Sequence, residues 1–291
     1  MSLNPLGDFT RLHYKRRKAT NILFCSLMVV STLIVVLALG AVFGYVLYKG
    51  LPAFNWPFFT SLPKPVGEVG GGMLNAIVGS LIMVSLGGLI GVPWGILTGV
   101  YLSEYGRGKF ASTVRFSANM LSSVPSIILG LFVYVILVKP MHRFSALSGS
   151  LTLAIIMIPT IARITEELLK LVPNHIREAG LALGLPRWKV TLRIVLRGSF
   201  SAIITGVMLA VARVSGETAP LLFTALNNQF LQFRLDQPIS SLPVQIYTYA
   251  ISPFDDWNRQ AWAGAYALIV FVFLINLITR VIFKPTVKGL N

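Results

Sequence analysis

Two ionisable residues lie four positions apart inside an otherwise apolar stretch of this sequence. Arg213 and Glu217 fall within residues 200–226, whose composition predicts a helix that crosses a membrane. An ionised side chain near the bilayer centre costs roughly 2.5–3.5 kcal/mol on insertion scales, so two of them in one span indicate a function. A spacing of four also places both side chains on one face of a helix.

Arg213 has the chemistry of an anion ligand, because its guanidinium presents a planar fork to two oxygens of a tetrahedral oxyanion. Glu217 either holds that arginine or accepts a hydrogen bond from a protonated phosphate oxygen, which sulfate does not offer at neutral pH. Arg163, at the end of the fourth apolar stretch, is the predicted exit contact of the anion. The alternative is a buried neutralising pair that only fixes helix packing. Arg before Glu is the weaker order for such a pair, and Gly216 and Pro220 disfavour an ideal helix.

A second group of residues lies in a long polar stretch, residues 163–199. A membrane protein gains nothing in lipid from a charged insertion, so we expect this stretch to contact a soluble protein. Asn174 is the predicted N-cap of a short helix, Gly184 its left-handed end, and Pro186 part of the first turn of the next helix. The alternative is a structural loop without a partner. The distinctive residues are Glu178, Ala179, Gly180, Gly184 and Pro186, followed by an Ile-Val-Leu run at 194–196.

The elements that position these residues are predicted to be membrane helices. Hydrophobic residues make up 55% of the 291 residues and charged residues 12%, whereas a soluble domain carries about 25% charged residues. Six apolar stretches are long enough to cross a hydrocarbon core. Pro93, Pro125 and Pro159 interrupt three of them and predict bends, either inert or around a polar path. The stretches are 22–48, 73–102, 116–138, 147–162, 200–226 and 261–283.

The distribution of basic residues predicts the orientation of this all-α membrane protein. Lys and Arg number 18 on the side that contains both termini and residues 163–199, against six on the other side. By the positive-inside rule, both termini and the long polar stretch are cytoplasmic. The predicted division is a cytoplasmic tail at 1–21, one six-span domain at 22–283, and a second cytoplasmic tail at 284–291.

The composition also argues against other functions. A net charge of +15 is compatible with nucleic acid, but the basic residues lie beside span ends instead of forming one patch with stacking aromatics. The predicted spans contain no histidine, no paired acids and no activated nucleophile, so we expect neither a metal site nor a catalytic site. Gly108-Lys109-Phe110 lacks the glycine and hydroxyl spacing of a phosphate-binding loop, so we expect no ATP site and no cofactor in this chain.

Three strings together resemble a known family. They are Ala-Arg-Val-Ser-Gly-Glu-Thr-Ala-Pro-Leu-Leu-Phe-Thr-Ala at 212–225, Glu-Ala-x-x-x-x-Gly at 178–184, and Tyr-Leu-Ser-Glu-Tyr-Gly at 101–106. The chain resembles the phosphate-specific ABC importer permeases of the Pst system over nearly its whole length. It departs from the common permease pattern at Arg197, where a proline often follows the Ile-Val-Leu run.

The resemblance implies an assembly and a role. It implies a six-helix ABC permease fold in the bacterial inner membrane, surrounded by lipid, which translocates inorganic phosphate. The implied partners are a dimer of the ATPase PstB, the second permease PstC and the phosphate-binding protein PstS. Residues 163–199 would be the coupling loop that docks on the ATPase, which alone would bind ATP. The alternatives are a permease for another oxyanion such as sulfate and, more distantly, an ATPase-independent anion channel or secondary transporter.

Overall fold

The computed structural model describes residues 5–68 and 70–282, with side chains described for 13–68, 70–278 and 281. Within those ranges the regular structure is helical, which confirms the predicted all-α fold class. The chain divides into two compact units, residues 1–49 and 50–291. The first unit contains nearly all of α1, Pro5–Gly50, which includes the first predicted span. Phe283 and the predicted tail 284–291 lie outside the described residues.

The second unit contains the remaining helices. In chain order these are α2 Trp56–Thr60, α3 Leu74–Val100, α4 Gly108–Ser123, α5 Ser126–Val133, α6 Lys139–Met141, α7 Ala146–Lys170, α8 Asn174–Ala182, α9 Arg187–Val190, α10 Arg197–Val214, α11 Ala219–Leu222, α12 Leu242–Ala250 and α13 Asp255–Ile282. Wider π-helical turns follow α3, α5 and α9, at Tyr101–Tyr105, Tyr134–Val138 and Thr191–Leu196.

Five continuous helices in the described ranges are long and apolar enough to cross a membrane, and the number is six if one bent pair of helices is counted as a single span. The bent pair is Gly108–Ser123 and Ser126–Met141, which meet at an angle of 104°. The prediction of one span at 116–138 is therefore wrong in shape. Val124 has an extended backbone because a residue before proline avoids the helical region, so the helix stops there. Pro93 and Pro159 lie inside continuous helices instead.

Two predicted span boundaries also differ from the structure. The fourth span is longer than 147–162, because α7 continues to Lys170. The fifth begins earlier and ends earlier than 200–226: one continuous helix runs over Arg187–Val214. The polar residues at 187–197 are thus helical, and the residues after Val214 are not part of this span.

The core of the second unit centres on the contact between α3 and α7. Every fourth residue of α3 from Asn75 to Gly99 is buried, and most of these residues are glycines. A Cβ on Gly95 would lie 2.7 Å from Ile161 Cβ, and one on Gly99 would lie 2.5 Å from Thr165 Cβ. The two backbones therefore approach more closely than a side chain would allow, as small residues permit between membrane helices.

The helix α10 completes this core on the other side of α7. Gly206 of α10 faces Ile164, and Ile203 and Val207 belong to the same buried cluster. A separate apolar cluster lies where α2, α12 and α13 meet, around Phe58 and Tyr249. These contacts place the 170–187 connection at one end of α7 and α10.

Candidate functional site

The predicted helix-turn-helix in the polar stretch is present. Helix α8 begins at Asn174, but Pro173 is the capping residue, with φ −63° and ψ 145°, and no side chain caps the helix. The prediction of Asn174 as N-cap is therefore wrong by one residue. The fixed φ of proline suits the last non-helical position, which makes Asn174 the first residue of the helix. Pro186 likewise lies just before α9 and not in its first turn.

The turn after α8 has the predicted left-handed end. Gly184 has φ +77°. Its N–H donates to the Leu181 carbonyl at 2.9 Å, and the Leu185 N–H donates to the Gly180 carbonyl at 3.4 Å. This pair of bonds satisfies the last carbonyls of the helix and is the common glycine termination of an α-helix.

Gly180 serves the interior of the loop and not its surface. It is buried, and a Cβ added there would lie 2.8 Å from Ile194 Cδ1 and 3.0 Å from a Val190 methyl. Gly180 is therefore not available for close approach to another protein, whereas Ala179 and Ala182 are exposed. The small residue at 180 lets α8 pack on the Ile-Val-Leu run, which explains why both patterns occur together.

Large apolar side chains are exposed on this loop. Leu183 is 81% exposed and Leu171 77%, while Leu181 and Trp188 are about half exposed. The three leucines lie between the long helices Ala146–Lys170 and Arg187–Val214, and Trp188 lies in the first turn of the second helix. Exposure of such apolar side chains to water is unfavourable. Glu178, in α8, is also exposed. The loop therefore presents an apolar surface with a carboxylate, as a docking surface for a soluble protein would.

A polar cavity of about 410 Å³ lies between the first turns of α8, the end of α7 and the π-helical turn that follows α3. Its charged lining residues are Glu104, Arg107, Arg115, Lys170, Arg177, Glu178 and Arg187. Glu104 accepts hydrogen bonds from Arg177, at 2.7 Å from Nη2 and 3.2 Å from Nε. The Arg187 guanidinium donates to the Glu104 backbone carbonyl at 2.7 Å and lies 5.5 Å from the centre of the Tyr105 ring.

A second ion cluster adjoins the first. The Glu166 carboxylate lies 2.6 Å from both Arg115 Nε and Lys170 Nζ, and its side chain is 9% exposed. Arg115 also donates to the Leu102 carbonyl at 2.7 Å. Neither Glu104 nor Glu166 had a predicted role. The available signal was their rarity, because the chain contains only 10 acidic residues.

The structure separates Arg213 from Glu217. Helix α10 ends at Val214, and the N–H groups of Gly216 and Glu217 bond the Arg213 and Val214 carbonyls in a tight turn. The prediction that both side chains share a helix face is therefore wrong. Pro220 lacks an N–H to continue the helix, and it lies in the first turn of a separate short helix, α11, which begins at Ala219. Among the residues with described side chains, no ion pair within 4.0 Å joins these two.

Arg213 and Arg163 lie at different positions along the helix axes of the second unit. Arg213 is exposed and shares an outward stripe of α10 with Thr205 and Leu209. Arg163 is also exposed, pairs with Glu167 at 2.9 Å, and adjoins the residue that faces Gly206. Arg213 follows Gly206 by seven positions in the helix, a rise of about 10 Å. The structure thus does not gather the three predicted anion ligands into one site within this chain.

The described residues contain no group of three or more His, Cys, Asp or Glu side chains that could hold a metal ion. The charged clusters of the second unit are instead pairs of carboxylates with arginine or lysine. The pairs of Glu104 with Arg177 and of Glu166 with Arg115 suit the joining of helices, because each carboxylate is bonded by a cation from another segment.

Known proteins resemble this chain over most of its length. Residues 91–288 match the family described as "Binding-protein-dependent transport system inner membrane component". The phosphate transport system permease protein PstA of Haemophilus influenzae is 48% identical over 275 residues, which cover 94% of this chain and 97% of that protein. The same-named protein of Pasteurella multocida is 44% identical, with 95% and 99% covered.

Solved structures show the same fold. An inward-facing MetNI methionine ABC transporter matches with a TM-score of 0.64 and 19% identity, covering 74% of this chain and 96% of that chain. A bacterial ABC transporter involved in the import of the polysaccharide alginate matches with a TM-score of 0.59 and 15% identity, covering 96% and 100%. The predicted ABC permease fold and the resemblance to Pst permeases are confirmed. The chain therefore belongs to the binding-protein-dependent transport system inner membrane components, in the PstA family of multi-pass permease proteins.

Proposed function

We propose that this chain is the permease subunit of an ATP-driven importer that moves inorganic phosphate across the bacterial inner membrane. The observation that carries this proposal is the exposed apolar surface around Leu183 and Leu181 on the loop between α7 and α10. A separate ATPase subunit would cover this surface, with Glu178 at its edge. The PstA relatives, named for phosphate transport, support phosphate as the cargo.

The other partners follow from the same assembly. A PstB-like ATPase dimer would bind ATP, a PstC-like permease would pack beside this chain, and a PstS-like protein would deliver phosphate from outside. In the proposed orientation both termini and α8 are cytoplasmic, in agreement with the distribution of basic residues. The coupling residues would be Glu178, Ala179, Gly184 and Pro186 at the surface, with Gly180 beneath them.

Arg213 is the proposed phosphate contact. An arginine on the outward face of a membrane helix is costly beside lipid, so its exposure favours a polar path shared with a neighbouring permease. Glu217, just beyond the helix end, would accept a hydrogen bond from protonated phosphate. Arg163 lies in α7, next to the residue that faces Gly206, which is about 10 Å from Arg213 along α10. Arg163 would act at a separate step near the cytoplasmic exit.

The test is reconstitution of this chain with its three partner subunits in proteoliposomes. Phosphate, and not sulfate, is expected to stimulate ATP hydrolysis and to accumulate inside. Stimulation by sulfate would identify another oxyanion importer, and uptake without the ATPase would contradict the proposal.

Single variants test the anion ligands. Arg213→Lys is expected to lose most uptake, because an ammonium does not reproduce the bidentate fork, and Glu217→Gln is also expected to impair uptake. Arg259→Lys, at another exposed arginine, is the matched control and should transport normally. Joint replacement of Arg213 and Glu217 by apolar residues distinguishes a structural role. Robust uptake by that double variant would exclude both residues as phosphate ligands.

A further inference from the structure

We propose that Glu104 is a positioning residue that fixes the docking helix α8 to the cytoplasmic end of the membrane helix α3. Movement of α8 on the ATPase would then be passed directly to α3. This inference rests on the proposed function and adds a residue outside the coupling loop to it. Glu104 lies 73 residues before its partner Arg177, at the end of a different helix.

The carboxylate of Glu104 is buried and fully engaged. Its side chain is 5% exposed, in the π-helical turn Tyr101–Tyr105 that follows α3. Arg177 Nη2 donates to Oε1 at 2.7 Å, Arg177 Nε lies 3.2 Å from both oxygens, and Ser103 Oγ donates to Oε1 at 3.3 Å. Separating the partners of such a pair would leave an uncompensated buried charge, so the contact is costly to break.

Arg177 connects three segments of the chain at once. It lies in the first turn of α8, and besides Glu104 it donates to the Leu169 carbonyl at 2.8 Å and to the Val172 carbonyl. One guanidinium thus fixes the start of α8 to the ends of both α3 and α7. A lysine could not replace it, because an ammonium lacks the planar array of donors.

Arg187 provides a second attachment on the far side of the α8–α9 turn. It is the first residue of α9 and donates to the Glu104 carbonyl while it lies over the Tyr105 ring. Residue 104 is therefore bonded from both helices that flank the turn carrying Leu183. A push on that turn cannot rotate α8 alone, because two bonds to the end of α3 resist the rotation.

Helix α3 can carry that displacement further. Its glycine face packs on α7 without intervening side chains at Gly95 and Gly99, so the two helices are closely matched in shape along their contact. A displacement applied at Glu104 would then move α3 and α7 together. An ion pair between two exposed side chains of the loop would not pass such a displacement to α3.

The experiment compares Glu104→Gln with the wild-type chain in the complete reconstituted transporter. The readout is phosphate taken up per ATP hydrolysed, measured together with the amount of ATPase that copurifies. We expect Glu104→Gln to retain the ATPase while the uptake per ATP falls about tenfold. That factor corresponds to about 1.4 kcal/mol between coupled and uncoupled orientations of α8.

A double variant and a control make the readout specific. If Glu104 acts through Arg177, the Glu104→Gln/Arg177→Gln double variant should be no worse than Arg177→Gln alone. Glu68→Gln makes the same chemical change in the exposed pair of Glu68 with Lys64, where the side chains are 60% and 47% exposed. This control should keep the wild-type ratio.

Each outcome either supports or overturns the positioning role of Glu104. Unchanged uptake per ATP in Glu104→Gln, or reduced complex yield with a normal ratio in the surviving complex, would show a purely structural role and overturn the inference. If Glu104→Gln does not assemble, Glu104→Asp keeps the charge with a shorter reach, and an unchanged ratio there would overturn it. Failure of the proposed function looks different, because the wild-type complex itself would then show no phosphate-dependent ATP hydrolysis.

Discussion

Replacement of Gly184 by valine should uncouple ATP hydrolysis from uptake or release the ATPase, and the structure specifies why. Gly184 has φ +77°, and a Cβ added there would meet nothing within 4 Å. The cost of valine therefore comes from the backbone alone and not from a clash. A residue with a side chain in this left-handed region costs about 1–2 kcal/mol.

That cost acts on the turn that presents Leu183. An energy of about 1–2 kcal/mol lowers the population of the native turn relative to its alternatives by a factor of roughly 5–30. The alternatives lose the bonds of Gly184 to Leu181 and of Leu185 to Gly180, which end α8. The ratio of molecules with Leu183 in its docking position to those without it would fall by the same factor.

Two matched variants separate backbone conformation from bulk. Gly184→Asn adds a side chain of similar size, but asparagine tolerates the left-handed region, so this variant should behave nearly as the wild type. Gly198→Val adds the same valine in the first turn of α10, where a Cβ also meets nothing within 4 Å, and it should be tolerated.

The assay is phosphate uptake per ATP in proteoliposomes, together with the ATPase retained on purification. Full uptake with normal retention in Gly184→Val would refute the docking role of the turn. Equal damage from Gly184→Asn and Gly184→Val would refute the backbone explanation, and would show that the position itself must lack a side chain.

Two further predictions concern orientation and packing. With Cys25→Ser as background, a cysteine at Lys170 should be labelled only from the cytoplasm and one at Asp255 only from outside; the reverse accessibility would overturn the predicted orientation and the coupling-loop assignment. Gly99→Val should destabilise the protein by about 1–3 kcal/mol, because its Cβ would lie 2.5 Å from Thr165 Cβ, whereas Gly88→Val meets open space. Equal midpoints of heat-induced aggregation in detergent for these two variants would contradict the close α3–α7 contact.

The membrane helices were predictable because composition alone forces them. In lipid each backbone group must be bonded within its own segment, so a long apolar run forms a helix. The effect of each proline was not predictable. Pro125 separates two helices, whereas Pro93 and Pro159 remain inside helices of 27 and 25 residues. The residues around a proline do not show which neighbouring helices will pack against that segment and keep it helical.

In the candidate site, too, features with a local cause were predictable and features that depend on distant residues were not. Gly184 was predictable, because the left-handed end of a helix favours glycine within a few residues. The separation of Arg213 from Glu217 also had a local sign in Gly216 and Pro220. The contact of Glu104 with Arg177 had none, because the two residues come together only through the packing of α3, α7 and α8. No pattern within a single segment indicates such a contact.

The contact between α3 and α7 also constrains how the protein is made. Lys170, which ends α7, is synthesised 70 residues after Val100, which ends α3. At about 5–20 residues per second, α3 waits about 4–14 s for its principal partner. During that time its glycine face has no helix to pack against. Pairing of α3 with α7 therefore follows the synthesis of α4 and α5, and a ribosome stalled before Ala146 would leave α3 without its main contact.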